Sequence, residues 1–92
     1  MDEVIELPDY DAIIDCFIAE PESWQECLTA IVQIELEKSP AMAIVDFMNS
    51  VLQKSQRKIN IPYKCRDAIA MLVWHSIPEE RFAIQELRRI LP

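Results

Sequence analysis

Apolar residues recur every three or four positions through most of this chain, and prolines interrupt the pattern at intervals. Residues at about 9–19 align Tyr10, Ile13, Ile14, Phe17 and Ile18 on one side of a helix. Residues at about 22–38 align Trp24, Cys27, Leu28, Ile31 and Ile34 in the same way. From about 40 to 57 the stripe is Ile44, Val45, Met48, Val51 and Leu52, with Phe47 on its flank. The stretch at about 62–76 is apolar nearly all round through its middle, with Ile69, Leu72 and Val73 on one side and Ala70, Met71 and Trp74 on the other. A helix of that kind is expected at the centre of a fold and should be the most buried of the set. Residues at about 78–91 offer Phe82, Ala83, Leu87, Ile90 and Leu91, and Arg81, Gln85, Arg88 and Arg89 lie on the opposite face. The pattern predicts an all-α, single compact bundle of five short helices, or six should the third break near Gln53, in one domain over residues 1–92 with a loose segment at 1–7.

Proline marks where these helices begin. Pro8, Pro21, Pro40, Pro62 and Pro78 each stand where a first helical turn is expected, a place where the missing amide would be unpaired anyway. Ser39 before Pro40 is a candidate N-cap, and Ser23 with Glu26 and Ser76 with Glu79 fit the S-x-x-E capping box. In "KINIP" Ile59 and Ile61 alternate with polar residues, but a lone strand has no partner, so the segment is expected to be a connection.

Composition sharpens the class. The chain has no glycine, on which tight hairpin turns and phosphate-cradling loops depend, so a β-rich fold and a nucleotide loop are disfavoured. Cys16, Cys27 and Cys65 are odd in number and widely spaced, which suits reduced thiols in a cytoplasmic protein better than a disulfide framework. The opening "MDEVIELPDY" lacks the basic and apolar regions of a signal peptide, and the longest apolar run, "AIAMLVW", falls far short of the ~20 residues of a membrane span.

Charge changes the picture most. Residues 1–50 hold twelve acids and one base, a net of −11, and residues 51–92 hold eight bases and four acids, a net of +4; together they give the chain's −7. Five bases and no acid fall within "QKSQRKINIPYKCR", residues 53–66. The expected function is a non-enzymatic protein–protein interaction or adaptor module that recruits a partner, or copies of itself, through opposed faces. Its basic face is assigned to Lys54, Arg57, Lys58, Lys64 and Arg66, and its acidic face to Asp11, Asp15, Glu22, Glu26, Glu35 and Glu37. A bland alternative is a solvated surface whose charges partly pair within the fold. A second is a small acidic inhibitor or immunity protein that occupies a basic groove on its target. A third is weak phosphate or nucleic-acid binding through residues 54–66, which the net charge opposes and which has only Tyr63 as a stacking aromatic.

Candidate chemistry is sparse. His75 is the sole histidine, at the end of a predicted helix where it can satisfy terminal carbonyls. It stands ten residues from Cys65, about 15 Å along a straight helix, so the two cannot touch within one helix. Cys16 and Cys27 fall on apolar stripes and are expected to fill the core, as are Trp24, Phe47 and the methionines Met42, Met48 and Met71. No close cysteine pair marks a zinc site, and carboxylate pairs such as Asp11 with Asp15 or Glu22 with Glu26 are expected to be solvated. No enzyme activity, cofactor, metal or small-molecule substrate is expected. In size and helix count the chain is similar in outline to death-fold interaction modules and bacterial effector-associated adaptor domains; the likeness is one of outline, and no site residues transfer with it.

Overall fold

Ser39 and Pro40 start the helix around which the others gather. In the computed structural model, which describes residues 9–91 apart from the side chain of Val73, α3 spans Pro40–Lys54. Pro40 sits in its first turn, and the Ser39 hydroxyl accepts the Met42 amide at 3.3 Å. Before it come α1 (Tyr10–Ala19), a single 3₁₀ turn (Pro21–Ser23) and α2 (Trp24–Ile34); after it come α4 (Tyr63–His75) and α5 (Pro78–Ile90). Among the described residues there is no strand, and the architecture is the expected all-α bundle of five helices. The expected loose segment 1–7 and the expected helix start at Pro8 lie outside the described residues.

The main correction concerns which helix is central. α3, not α4, is the hub: it packs on α1, α2 and α5, while α4 packs chiefly on α5. Eight of the 15 residues of α3 are buried: Ala41, Ala43, Ile44, Val45, Phe47, Met48, Val51 and Leu52. At 100° per residue they cover just over half its circumference and leave Asp46, Asn49, Ser50 and Gln53 on the wetter side. Phe47 takes the edges or faces of Phe17 at 5.6 Å and Tyr10 at 6.1 Å, both near-perpendicular as aromatic quadrupoles favour. Among the described side chains of α4, Cys65 and Ile69 are buried on a single stripe, while Met71 and Trp74 face solvent. In α5 the buried stripe is Ile84 and Leu87, continued by Leu91, and Phe82 is outside it.

Helix ends account for the other departures. α3 stops at Lys54, short of the expected 57, and no sixth helix follows. Gln56 and Arg57 turn to φ 55° and 62°, the left-handed region. The Arg57 amide donates to the Leu52 carbonyl (2.9 Å) and the Gln56 amide to Gln53 (3.2 Å), which is a Schellman closure made without glycine. The chain then threads Ile59 and Ile61 into the core as the connection to α4. Pro62 precedes the first turn of α4 rather than entering it. Neither expected capping box forms: the Ser23 hydroxyl donates to the Glu20 carbonyl (2.7 Å) and the Ser76 hydroxyl to the Leu72 carbonyl (2.6 Å).

Candidate interaction surface

α4 and α5 form an antiparallel hairpin whose two-residue connection, Ser76 and Ile77, is braced by an Arg81 guanidinium donating to the Ser76 carbonyl at 3.0 Å. The antiparallel run brings the first turns of α4 beside the last turns of α5. Between them lies a cleft of about 410 Å³ lined by Tyr63, Arg66, Asp67, Gln85, Arg88 and Arg89. Three guanidiniums therefore converge from segments more than twenty residues apart, against the single carboxylate of Asp67 in the wall. Arg89 also pairs with Glu86 one turn back, and Arg88 and Arg89 lie at the negative end of the α5 dipole. A neighbouring depression of about 340 Å³ is lined by Asn49, Leu52, Gln53, Arg57 and Ile90, which places Arg57 close to the end of α5.

The same hairpin is unusually apolar on its outside. Tyr63 (77% exposed), Trp74 (79%) and Phe82 (73%) stand in solvent, as do Met71 and Ile77. On α4, Tyr63, Asp67, Met71 and Trp74 follow i, i+4, i+8, i+11 spacing and so share one face. Of the exposed aromatics Tyr63 lines the arginine cleft, and an aromatic beside arginines has the composition of an interaction surface.

The five predicted basic residues divide. Lys54 is neutralised within the fold: its ammonium lies 2.6 Å from an Asp15 carboxylate oxygen on α1, and that hydrogen bond raises its pKa. Arg57, Lys58 and Lys64 are exposed and Arg66 is half-buried; among the described residues none of these four makes an ion pair. Only Arg66 of the predicted face joins the cleft, where its companions are Arg88 and Arg89 from the C-terminal helix. Of the predicted acidic residues, Asp15 is the partner of Lys54. Asp11, Asp15, Glu22 and Glu26 are exposed on α1, the 3₁₀ turn and α2, and Glu37 is exposed beyond α2. Glu35 is half-buried and shares Lys38 with Asp46, at 3.7 and 2.8 Å. The Asp46 hydrogen bond is the main cause of the raised Lys38 pKa. The larger helix contacts link α1 with α2, both with α3, α3 with α5 and α5 with α4; none of that size joins the acidic pair to the basic hairpin.

Sequence reasoning missed the outward turn of Met71, Trp74 and Phe82, and the meeting of Arg66 with Arg88 and Arg89. The first carried no signal: polar residues on α4 cluster in its opening turns, and an apolar middle does not by itself show which side is covered. Cys16 is exposed rather than a core filler, Cys27 and Cys65 are buried, and His75 is exposed. Trp24 is half-buried and Phe47 fully so. Among the described residues no three His, Cys, Asp or Glu side chains group as a metal site, and no helix is long and apolar enough to cross a membrane. No protein-family model, curated protein or solved structure matches this chain.

Proposed function

We propose that this chain is a non-enzymatic protein–protein interaction module that assembles with copies of itself, the α4–α5 hairpin of one molecule meeting the α1–α2 pair of the next. The observation that carries the reading is the arginine cleft of Arg66, Arg88 and Arg89 beside the exposed Tyr63. It offers charge-assisted, directional contacts for carboxylates and a large apolar area at low side-chain entropy cost. The occupant is argued from charge complementarity, because Asp11, Glu22 and Glu26 are exposed carboxylates of the same chain on the other helix pair. Complementary faces steer encounter and set orientation, while the net charge of −7 keeps mismatched encounters repulsive. Two different faces make a heterologous contact, which propagates into a ring or an open filament.

Light scattering against concentration and salt tests this with two variants. Arg66→Glu with Arg88→Glu removes the basic face, and Glu22→Lys with Glu26→Lys removes the acidic one. Each alone should remain monomeric with an unchanged helical circular dichroism spectrum. Mixed, they should regain a one-to-one complex, since each retains the face the other lacks. A wild-type protein that stays monomeric at high concentration and low salt refutes the proposal, as do variants that associate as well as the wild type.

A further inference from the structure

On the acidic helix pair itself, α1 and α2 hold two thiols around one hydroxyl. The Ser23 Oγ lies 3.8 Å from the Cys16 Sγ and 3.6 Å from the Cys27 Sγ. Ser23 is held in place by donating its proton to the Glu20 carbonyl at 2.7 Å, in the 3₁₀ turn that reverses the chain between the two helices. A small, mainly apolar pocket of about 190 Å³ opens over the pair, lined by Ala12, Ile13, Cys16, Glu26, Cys27 and Ala30. Both sulfurs thus border one solvent-reachable space, although Cys16 is exposed and Cys27 is buried. The third cysteine, Cys65, is fully buried and lines none of this pocket.

The geometry points to Cys16 and Cys27 as a redox-active dithiol that closes to a disulfide by exchange with a small disulfide oxidant such as oxidised glutathione. The exposed Cys16 acts first. Its thiolate, the proton having gone to solvent, attacks one sulfur of the oxidant; the S–S bond of the oxidant breaks and one thiolate leaves and is protonated. Cys16 now carries a mixed disulfide. Cys27 gives up its proton and attacks the Cys16 sulfur, which expels the second small thiol and forms the bond between α1 and α2. Two protein thiols are oxidised and one small disulfide is reduced to two thiols, so no further reactant is required. The order follows from access and acidity: burial pushes the Cys27 thiol up, with the Ser23 hydrogen bond and the neighbouring Cys16 acting after it in opposite directions. Cys27 is therefore a poor first nucleophile. Ser23 is a positioning residue that holds both sulfurs on one oxygen.

Incubating the wild-type protein with oxidised glutathione, followed by intact mass and peptide mapping, decides the matter. The expected product has lost two hydrogens, carries a Cys16–Cys27 cross-link and leaves Cys65 free. Cys27→Ala should stop at a stable glutathione adduct on Cys16, and Cys16→Ser should react far more slowly and carry no cross-link. Should Cys27→Ala unfold, Ser23→Ala supplies the second arm: it should accumulate the Cys16 adduct and close several-fold more slowly. A wild-type protein that ends at the Cys16 adduct, that dimerises through Cys16, or that links Cys65 instead overturns the assignment.

Discussion

Cys65 shows how one buried side chain carries a measurable pH dependence. It is fully buried on the inward stripe of α4, and burial pushes its thiol from the ordinary 9.0 up to about 11, with the charge of Arg66 pulling back and Cys27 adding slightly. The folded state therefore holds this proton more tightly than the unfolded chain does. That stabilisation is whole below about pH 9 and is lost as pH rises through about 11. Tyr10, raised chiefly by burial and lowered in part by its Ser50 hydrogen bond, and Cys27, also raised by burial, act in the same direction. Urea midpoints measured across this range should fall with pH, and Cys65→Ala should flatten the slope while lowering the neutral-pH midpoint through the small cavity it leaves. A slope unaltered by the substitution would remove Cys65 from the account. Residue by residue, inward positions were legible in α1, where Ile13, Ile14 and Phe17 repeat at helical spacing and are buried. They were not legible for Cys16, because a small thiol fits an exposed position next to a stripe as easily as a buried one.

Helix boundaries belong to the next scale, and α3 is instructive at both ends. Its start was readable: Ser39 before Pro40 caps, and the same hydroxyl donates to the Glu80 carboxylate in the first turn of α5, tying two helices by one side chain. Ser39→Ala removes both bonds and should cost about 1–2 kcal/mol in denaturant unfolding, at the upper end for an N-cap. Glu80→Gln, which keeps the cap, should cost less; equal losses would show that the inter-helix bond dominates. Its end was not readable, because Gln56 and Arg57 carry no mark of a left-handed turn. A non-glycine residue there is disfavoured by roughly 1–2 kcal/mol, whereas glycine adopts it freely but loses more chain entropy on folding. Gln56→Gly should therefore stabilise the protein by up to about 1 kcal/mol. A loss of stability would show that the side chain contributes more than its backbone strain costs. Capping boxes at Ser23 and Ser76 failed for a related reason: each hydroxyl found a carbonyl of the preceding turn before any amide of the following one.

For the whole molecule the consequence of the charge split depends on arrangement. One of the five island bases is neutralised by an α1 carboxylate, and four are not paired among the described residues. The basic pole extends instead to the C-terminal helix through Arg66, Arg88 and Arg89. If the two poles engage head to tail, the average mass in light scattering should climb continuously with protein concentration and fall as salt rises, because the Debye length shortens from about 30 Å at 0.01 M to about 8 Å at 0.15 M. A plateau at a small whole number of copies would mean that the rotation closes a ring. A rise driven by added salt would assign the contact to the apolar residues Trp74 and Phe82 rather than to the charges.

By itself the sequence determined that this chain is helical, roughly where each helix begins, and that acid and base segregate along it. These are local properties: periodicity, proline placement and composition act within a few turns of the residues concerned. Only the tertiary structure decided that α3 rather than α4 is central, that Trp74 and Phe82 face solvent, and that Ser23 gathers two thiols. Burial depends on which neighbour covers a face, and an apolar surface looks the same in sequence whether a helix lies against it or not. The wide apolar arc of α3 is covered on several sides, while among the described residues no helix lies on the outer face of α4, and that difference arises from how distant segments pack.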